Sequence, residues 1–131
     1  MNTLIVEDDF TSRLLLQELL KRYGPAHIAV NGKEAVQAVR LALEAGAPYA
    51  LICLDIMMPE MDGREALKHI RALEATQGIL STHGAKIVMT TALSDMKNVC
   101  GAYAGLCDAY LTKPIEKLKL EGELRKLGLI P

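Results

Sequence analysis

The sequence predicts a single α/β domain, a three-layer doubly wound sandwich with a five-stranded parallel sheet between two helical layers. Three observations carry this. Short apolar runs alternate with segments of helical periodicity five times along the chain. One of these runs, Ala50 to Leu54, is apolar without alternation, as a strand buried on both faces is. The polar side chains that interrupt the strands all do so at the same, C-terminal end. A length of 131 residues fits one domain, because a second would leave neither half enough apolar surface to bury.

Each element has its own signal. Thr3 to Val6 is a β-branched and aliphatic strand that ends in three acids, Glu7, Asp8 and Asp9. Phe10 to Tyr23 follows with Leu15, Leu16, Leu19 and Leu20 at helical spacing, Leu14 beside them, Asp9 as cap and Gly24 as stop. His27 to Val30 is a short second strand. Asn31-Gly32 could turn a hairpin, but the apolar positions 35, 36, 39, 42 and 43 make Asn31 the cap of a helix over Lys33 to Ala45. The third strand delivers Asp55, followed by Met57, Met58, a proline, and Asp62-Gly63 as turn and cap. Helix three spans Gly63 to Ala75, with Ala66, Leu67, Ile70 and Leu73 on one face, and a polar loop runs from Thr76 to Gly84. Ala85 to Thr91 is strand four, Ser94 or Asp95 caps a fourth helix ending near Gly105, and Ala109 to Thr112 is strand five. A last helix, Ile115 to Leu127, is expected to bury residues 115, 118, 120, 124 and 127 and to keep Lys117, Glu121 and Arg125 wet.

Composition excludes several functions. The chain is 50% hydrophobic with a formal net charge of −1, which gives no electrostatic case for nucleic acid or an anionic membrane. No apolar run approaches the roughly 20 residues of a membrane helix, and the N-terminus lacks a signal-peptide pattern, so a cytoplasmic location is expected. Cys53, Cys100 and Cys107 are odd in number and read as reduced thiols. The scattered His27, His69 and His83 offer no zinc spacing.

In a doubly wound sheet, ligands bind beyond the carboxyl ends of the strands, where the strand order reverses. The sequence places Glu7, Asp8, Asp55, Thr90, Thr91 and Lys113 there. Close carboxylates repel by about 4 kcal/mol per pair at an effective dielectric of about 20, so the cluster needs a cation or must give up a charge. Oxygen-only ligands suit a hard ion such as Mg²⁺, with Mn²⁺ possible, and Mg²⁺ keeps company with phosphate. Lys113 and a threonine hydroxyl can hold phosphoryl oxygens, and Asp55 is the candidate nucleophile for an acyl phosphate.

These residues resemble the receiver domains of bacterial two-component response regulators along essentially the whole chain. The resemblance rests on Glu7-Asp8, the segment from Asp55 through Met58-Pro59 to Asp62-Gly63, Thr91-Ala92, and Lys113-Pro114, in that order and spacing. It implies a flavodoxin-like strand order of 2-1-3-4-5. It also implies that Asp55 accepts a phosphoryl group from a histidine kinase or histidine phosphotransfer protein. Asp8 would bind Mg²⁺ directly, Glu7 mostly through water, and the backbone carbonyl of Met57 would be a further ligand. Thr91 and Lys113 would meet the phosphoryl group, Lys113-Pro114 would be cis, and Tyr110 would be an aromatic switch. Thr90 is left as a core or edge hydroxyl. Met96, Val99, Tyr103 and Tyr110 are the candidates for an output face that changes shape for a downstream protein target.

The expectation is therefore one receiver over residues 1–131 with no output domain, a signalling phosphoacceptor rather than an enzyme. Met57 and Leu93 are apolar where other members often carry polar groups, and are expected to hinder the water that hydrolyses the acyl phosphate. An aspartate-nucleophile phosphatase would need a second acid where Met57 stands. A degenerate receiver acting only as an interaction module is disfavoured by the intact acceptor residues.

Overall fold

The computed structural model describes residues 1–80, 83–92 and 105–131. The strands are β1 (Thr3–Val6), β2 (Ala26–Ala29), β3 (Leu51–Asp55), β4 (Lys86–Thr91) and β5 (Ala109–Thr112). The helices among the described residues are α1 (Phe10–Leu20), extended by a 3-10 turn over Lys21–Tyr23, then α2 (Gly32–Glu44), α3 (Gly63–Thr76) and α4 (Lys117–Lys126). All four strand pairings are parallel, and the order across the sheet is β2-β1-β3-β4-β5, as the resemblance implied. The helix expected from Ser94 or Asp95, with Met96, Val99, Cys100 and Tyr103, lies outside the described residues, as does Leu93.

Alternation along the strands builds two cores. Leu4, Val6, Ile52, Leu54, Ile87 and Met89 face Ala35, Val36, Val39, Ala66, Leu67 and Ile70 of α2 and α3. Ile5, Leu51, Cys53, Val88 and Leu111 face Leu16 and Leu20 of α1 and Leu120 and Leu124 of α4. Both faces of the central strand are thus covered, which is why β3 reads as an unbroken apolar run. The caps form as the sequence indicates: Asp9, Asn31 and Asp62 accept from the backbone N–H of Ser12, Glu34 and Glu65 at 2.9, 2.9 and 3.0 Å.

Of the leucines at helical spacing in α1, Leu16 and Leu20 are buried and Leu15 is 38% exposed. Two sequence expectations are corrected. Leu118 is 80% exposed, because α4 starts at Lys117 and turns Leu120 and Leu124 to the sheet, while Ile115 is buried ahead of the helix. Glu121, expected on the wet side, is buried and accepts a 2.6 Å hydrogen bond from the hydroxyl of Tyr23.

At the opposite end from the acidic loops, Arg71 of α3 ties the lower ends of β4 and β5 together. Its guanidinium reaches Glu74 (2.6 Å), Asp108 (3.1 Å) and the carbonyls of Ala85 (2.9 Å) and Leu106 (2.7 Å). Glu74 and Asp108 also accept from the backbone N–H of Ala85 and Ile87, at 2.7 and 2.8 Å. The two carboxylates share one cation, and each also accepts from a backbone N–H.

Candidate functional site

Sheet register decides where the acidic residues meet. Val6 pairs with Leu54, so Glu7 and Asp55 leave neighbouring strands side by side. Asp55 is the last residue of β3, opposite Thr90; Thr91 is opposite Thr112, and the N–H of Lys113 donates to the Thr91 carbonyl at 2.8 Å. The Lys113-Pro114 peptide is cis, as expected. The ends of β1 and β3 lie in the middle of the sheet, where the chain order reverses, and Lys113 reaches in from the edge strand β5.

Glu7 and Asp55 are buried and Asp8 is exposed, and one oxygen from each lies within 4.8 Å of the others. Lys113 enters from β5 with its ammonium 2.7 Å from Glu7 Oε1 and 3.2 Å from Asp55 Oδ1. The other oxygen of Glu7 accepts from the N–H of Asp9 at 3.2 Å, and Asp55 Oδ1 accepts from the N–H of Met57 at 3.3 Å. Burial first, then the neighbouring Glu7, pushes the Asp55 carboxyl up to about 7, against the pull of Lys113. Burial alone would lower Lys113, but Glu7 and Asp55 outweigh it and hold the ammonium above its ordinary value.

One ammonium does not satisfy three carboxylates. Glu7 Oε1 is fully buried, and its close contact is the Lys113 ammonium at 2.7 Å, which it shares with Asp55. An all-oxygen cluster in which two buried carboxylates share one ammonium and one of them resists ionisation fits a hard divalent cation. Glu7, Asp8 and Asp55 are the residues that could hold it.

The remaining predicted residues take the following positions. Thr91 is buried at the end of β4, and its hydroxyl donates to the Ala92 carbonyl at 3.3 Å. Thr90 is buried in the sheet. Met57 is 59% exposed just beyond Asp55, and Tyr110 lies on β5 opposite Met89, partly buried against the α2–α3 core. His69 and His83 are exposed.

Sequence reasoning missed how the loop after Asp55 is held. The N–H of Gly63 donates to the Ile56 carbonyl at 2.9 Å, that of Gly32 to the Met61 carbonyl at 3.0 Å, and that of Ile56 to the Thr90 carbonyl at 3.1 Å. A Cβ on Gly63 would sit 2.2 Å from the Asp55 carbonyl oxygen, so α3 can start here only with glycine. Arg13 was also missed: its guanidinium donates to the Glu7 carbonyl at 3.3 Å. Both glycines follow a capping residue in sequence, and that signal was read only as punctuation.

Comparison with known proteins agrees with this geometry. The family model for the response regulator receiver domain matches residues 3–125. A two-component response regulator of rice (Oryza sativa subsp. japonica) is 35% identical over 98% of this chain and 95% of its own length. A probable histidine kinase of rice (subsp. indica) is 32% identical, but the match spans only 12% of that protein. Among solved structures, the Saccharomyces cerevisiae Ssk1 receiver domain, crystallised with the histidine phosphotransfer protein Ypd1, is 31% identical with a TM-score of 0.80, covering 98% of this chain and 88% of that one. The receiver domain of the Pseudomonas aeruginosa sensor kinase PA1611, with magnesium in its active-site cleft, is 26% identical with a TM-score of 0.75, covering 97% of each chain. Fold, cluster and family model converge, and the chain belongs to the response regulator receiver domain family.

Proposed function

We propose that the chain is a Mg²⁺-dependent phosphoacceptor: it takes a phosphoryl group onto Asp55 from the phosphohistidine of a histidine kinase or histidine phosphotransfer protein, and so changes a protein-interaction face. The observation that carries this is the clustering of buried Asp55 with two further carboxylates and with the Lys113 ammonium, 3.2 Å away. Mg²⁺ in the acidic cleft of the PA1611 receiver and the partnership of the Ssk1 receiver with Ypd1 support it.

The step is an in-line exchange. An Asp55 carboxylate oxygen attacks phosphorus, the P–N bond to the donor imidazole breaks, and the imidazole keeps the electron pair and takes up a proton. Asp55 must be ionised to attack, and its high pKa means that charge has to be drawn out of it by a counter-ion. Asp8, Asp55, the Met57 carbonyl and, through water, Glu7 would hold Mg²⁺, which supplies positive charge for that purpose and for the phosphoryl oxygens. Lys113 stays close enough to exchange its ion pair with Asp55 for one with the phosphoryl group. Thr91 spends its hydroxyl on its own neighbour's carbonyl, a weak 3.3 Å bond that it can give up for a phosphoryl oxygen.

The added group carries roughly −1.5 to −2 charge at neutral pH. Drawing Thr91 toward it frees room for Tyr110 to turn inward from β5, which changes the outer surface of β5 for a downstream protein. No part of this reading calls for nucleic acid or membrane, and among the described residues no helix is long and apolar enough to cross a membrane. Incubation with Mg²⁺ and acetyl phosphate, read by intact mass, tests it. One phosphoryl group per chain, absent in Asp55→Asn, is expected. Continuous hydrolysis of the donor would make the protein a phosphatase, and no gain at all would leave it an interaction module.

A further inference from the structure

Gly32 opens α2, on a different element from every carboxylate of the site, yet its backbone touches the loop that follows Asp55. Its N–H donates to the Met61 carbonyl at 3.0 Å. A Cβ added at Gly32 would lie 2.3 Å from that carbonyl oxygen and 2.8 Å from both Cβ and Cγ of Met61. The nearest of these is backbone, so it cannot be relieved by a rotamer change; the loop itself would have to move. Gly32 shows no left-handed φ, so a side chain is barred by the neighbour and not by the turn.

The loop has little freedom to absorb such a shift. Its two ends are joined by the bond from Gly63 N–H to the Ile56 carbonyl, and Asp62 is committed to capping α3. Between them Glu60 already adopts a left-handed conformation, φ 66°, to close the turn. Met57 stands on this ring, its N–H directed at Asp55 Oδ1. Displacing Met61 therefore displaces the backbone that carries Met57.

We infer that Gly32 is a positioning residue for divalent-cation binding: α2 fixes the loop carrying the Met57 carbonyl through the Gly32–Met61 contact, so the N-terminus of α2 and the cation site are energetically coupled. This rests on the reading of the Asp55 cluster as a cation-binding phosphoacceptor. Coupling is reciprocal, so cation binding must also firm up the Gly32 bond.

Gly46, at the other end of α2, supplies the control. It has φ +70° with nothing within 4 Å of an added Cβ, so Gly46→Ala strains the backbone and costs stability without touching the loop. Mg²⁺ titrations by calorimetry, run well below each variant's melting temperature, should show Gly32→Ala binding Mg²⁺ about tenfold more weakly than wild type, the scale of an outer-shell defect. Gly46→Ala should match wild type. In wild type, amide exchange at Gly32 should slow when Mg²⁺ is added, while exchange at Gly46, whose N–H is bonded to Leu43, stays constant. This second measurement stands even where Gly32→Ala does not fold. Equal Mg²⁺ affinity in wild type and Gly32→Ala, or a Gly32 amide indifferent to Mg²⁺, overturns the coupling alone. A wild type that binds no Mg²⁺ overturns the coupling and the phosphoacceptor reading together.

Discussion

Neutralising Asp55 should make the metal-free protein more stable, although it removes an ion pair with Lys113. Burial and Glu7 raise this carboxyl from an ordinary 3.8 to about 7. In the unfolded chain it loses its proton near 3.8, but the folded protein keeps that proton until about 7. The folded state therefore binds more protons across this window, and stability falls as pH rises through it. At 1.36 kcal/mol per pH unit, the full penalty above neutral pH is at most about 4 kcal/mol. With an unfolding entropy of about 2.1 cal/mol/K per residue, Asp55→Asn should melt roughly 5 to 15 °C higher than wild type at pH 8 in EDTA. The gap should shrink as pH is lowered from 7 toward 4 and close only below the ordinary value of 3.8, where Asp55 is protonated in both states. Saturating Mg²⁺ should close it from the other side, by stabilising wild type through binding to the folded state. Thermal melts of both proteins across this pH range, with EDTA and with Mg²⁺, make the test. An Asp55→Asn protein that melts at or below wild type in EDTA at pH 8, or a gap independent of pH, refutes the reasoning.

Other expectations follow from the same contacts. Arg71→Met leaves the buried Glu74 without its cation and should cost about 3 to 5 kcal/mol in urea unfolding, while Mg²⁺ affinity changes little. Leu118→Glu should alter stability by less than about 0.5 kcal/mol because the side chain is exposed, whereas Leu120→Ala on the same helix should cost about 2 to 5 kcal/mol. Met57→Asn should shorten the acyl-phosphate lifetime severalfold, timed by loss of the phosphoryl group, on the expectation that the apolar Met57, exposed just beyond Asp55, hinders the hydrolytic water.

What the sequence revealed divides by the range of the interaction. Thr3–Val6 and Ala109–Thr112 form over the residues expected, because charged or polar neighbours bound each run tightly. The caps at Asp9, Asn31 and Asp62 were legible because they are bonds to residues three positions on. β2 lies one residue earlier than expected, over Ala26–Ala29; as an edge strand it is held by β1 alone, and its register is set there rather than by its own pattern. The exposed face of α4 was misjudged for Glu121 because its partner, Tyr23, lies 98 residues away. Arg71 and Glu74 sit three apart and look like a surface helix pair, and only the approach of Asp108, 37 residues on from Arg71, buries them. The acidic site was the most legible part, since strand ends in a parallel sheet converge by topology alone. Glycine's steric role was not, because Gly32 and Gly63 matter for what passes over them, which no local pattern encodes.

The central claim is that one carboxylate, Asp55, carries the phosphoryl group, and the direct measurement is to locate it. Protein treated with acetyl phosphate and Mg²⁺ can be reduced with borohydride, which converts an acyl phosphate to an alcohol, and the digest read by mass spectrometry. The account predicts reduction at position 55 alone, abolished by EDTA. Reduction at Glu7, Asp8 or any other carboxylate, or none with Mg²⁺ present, would contradict it.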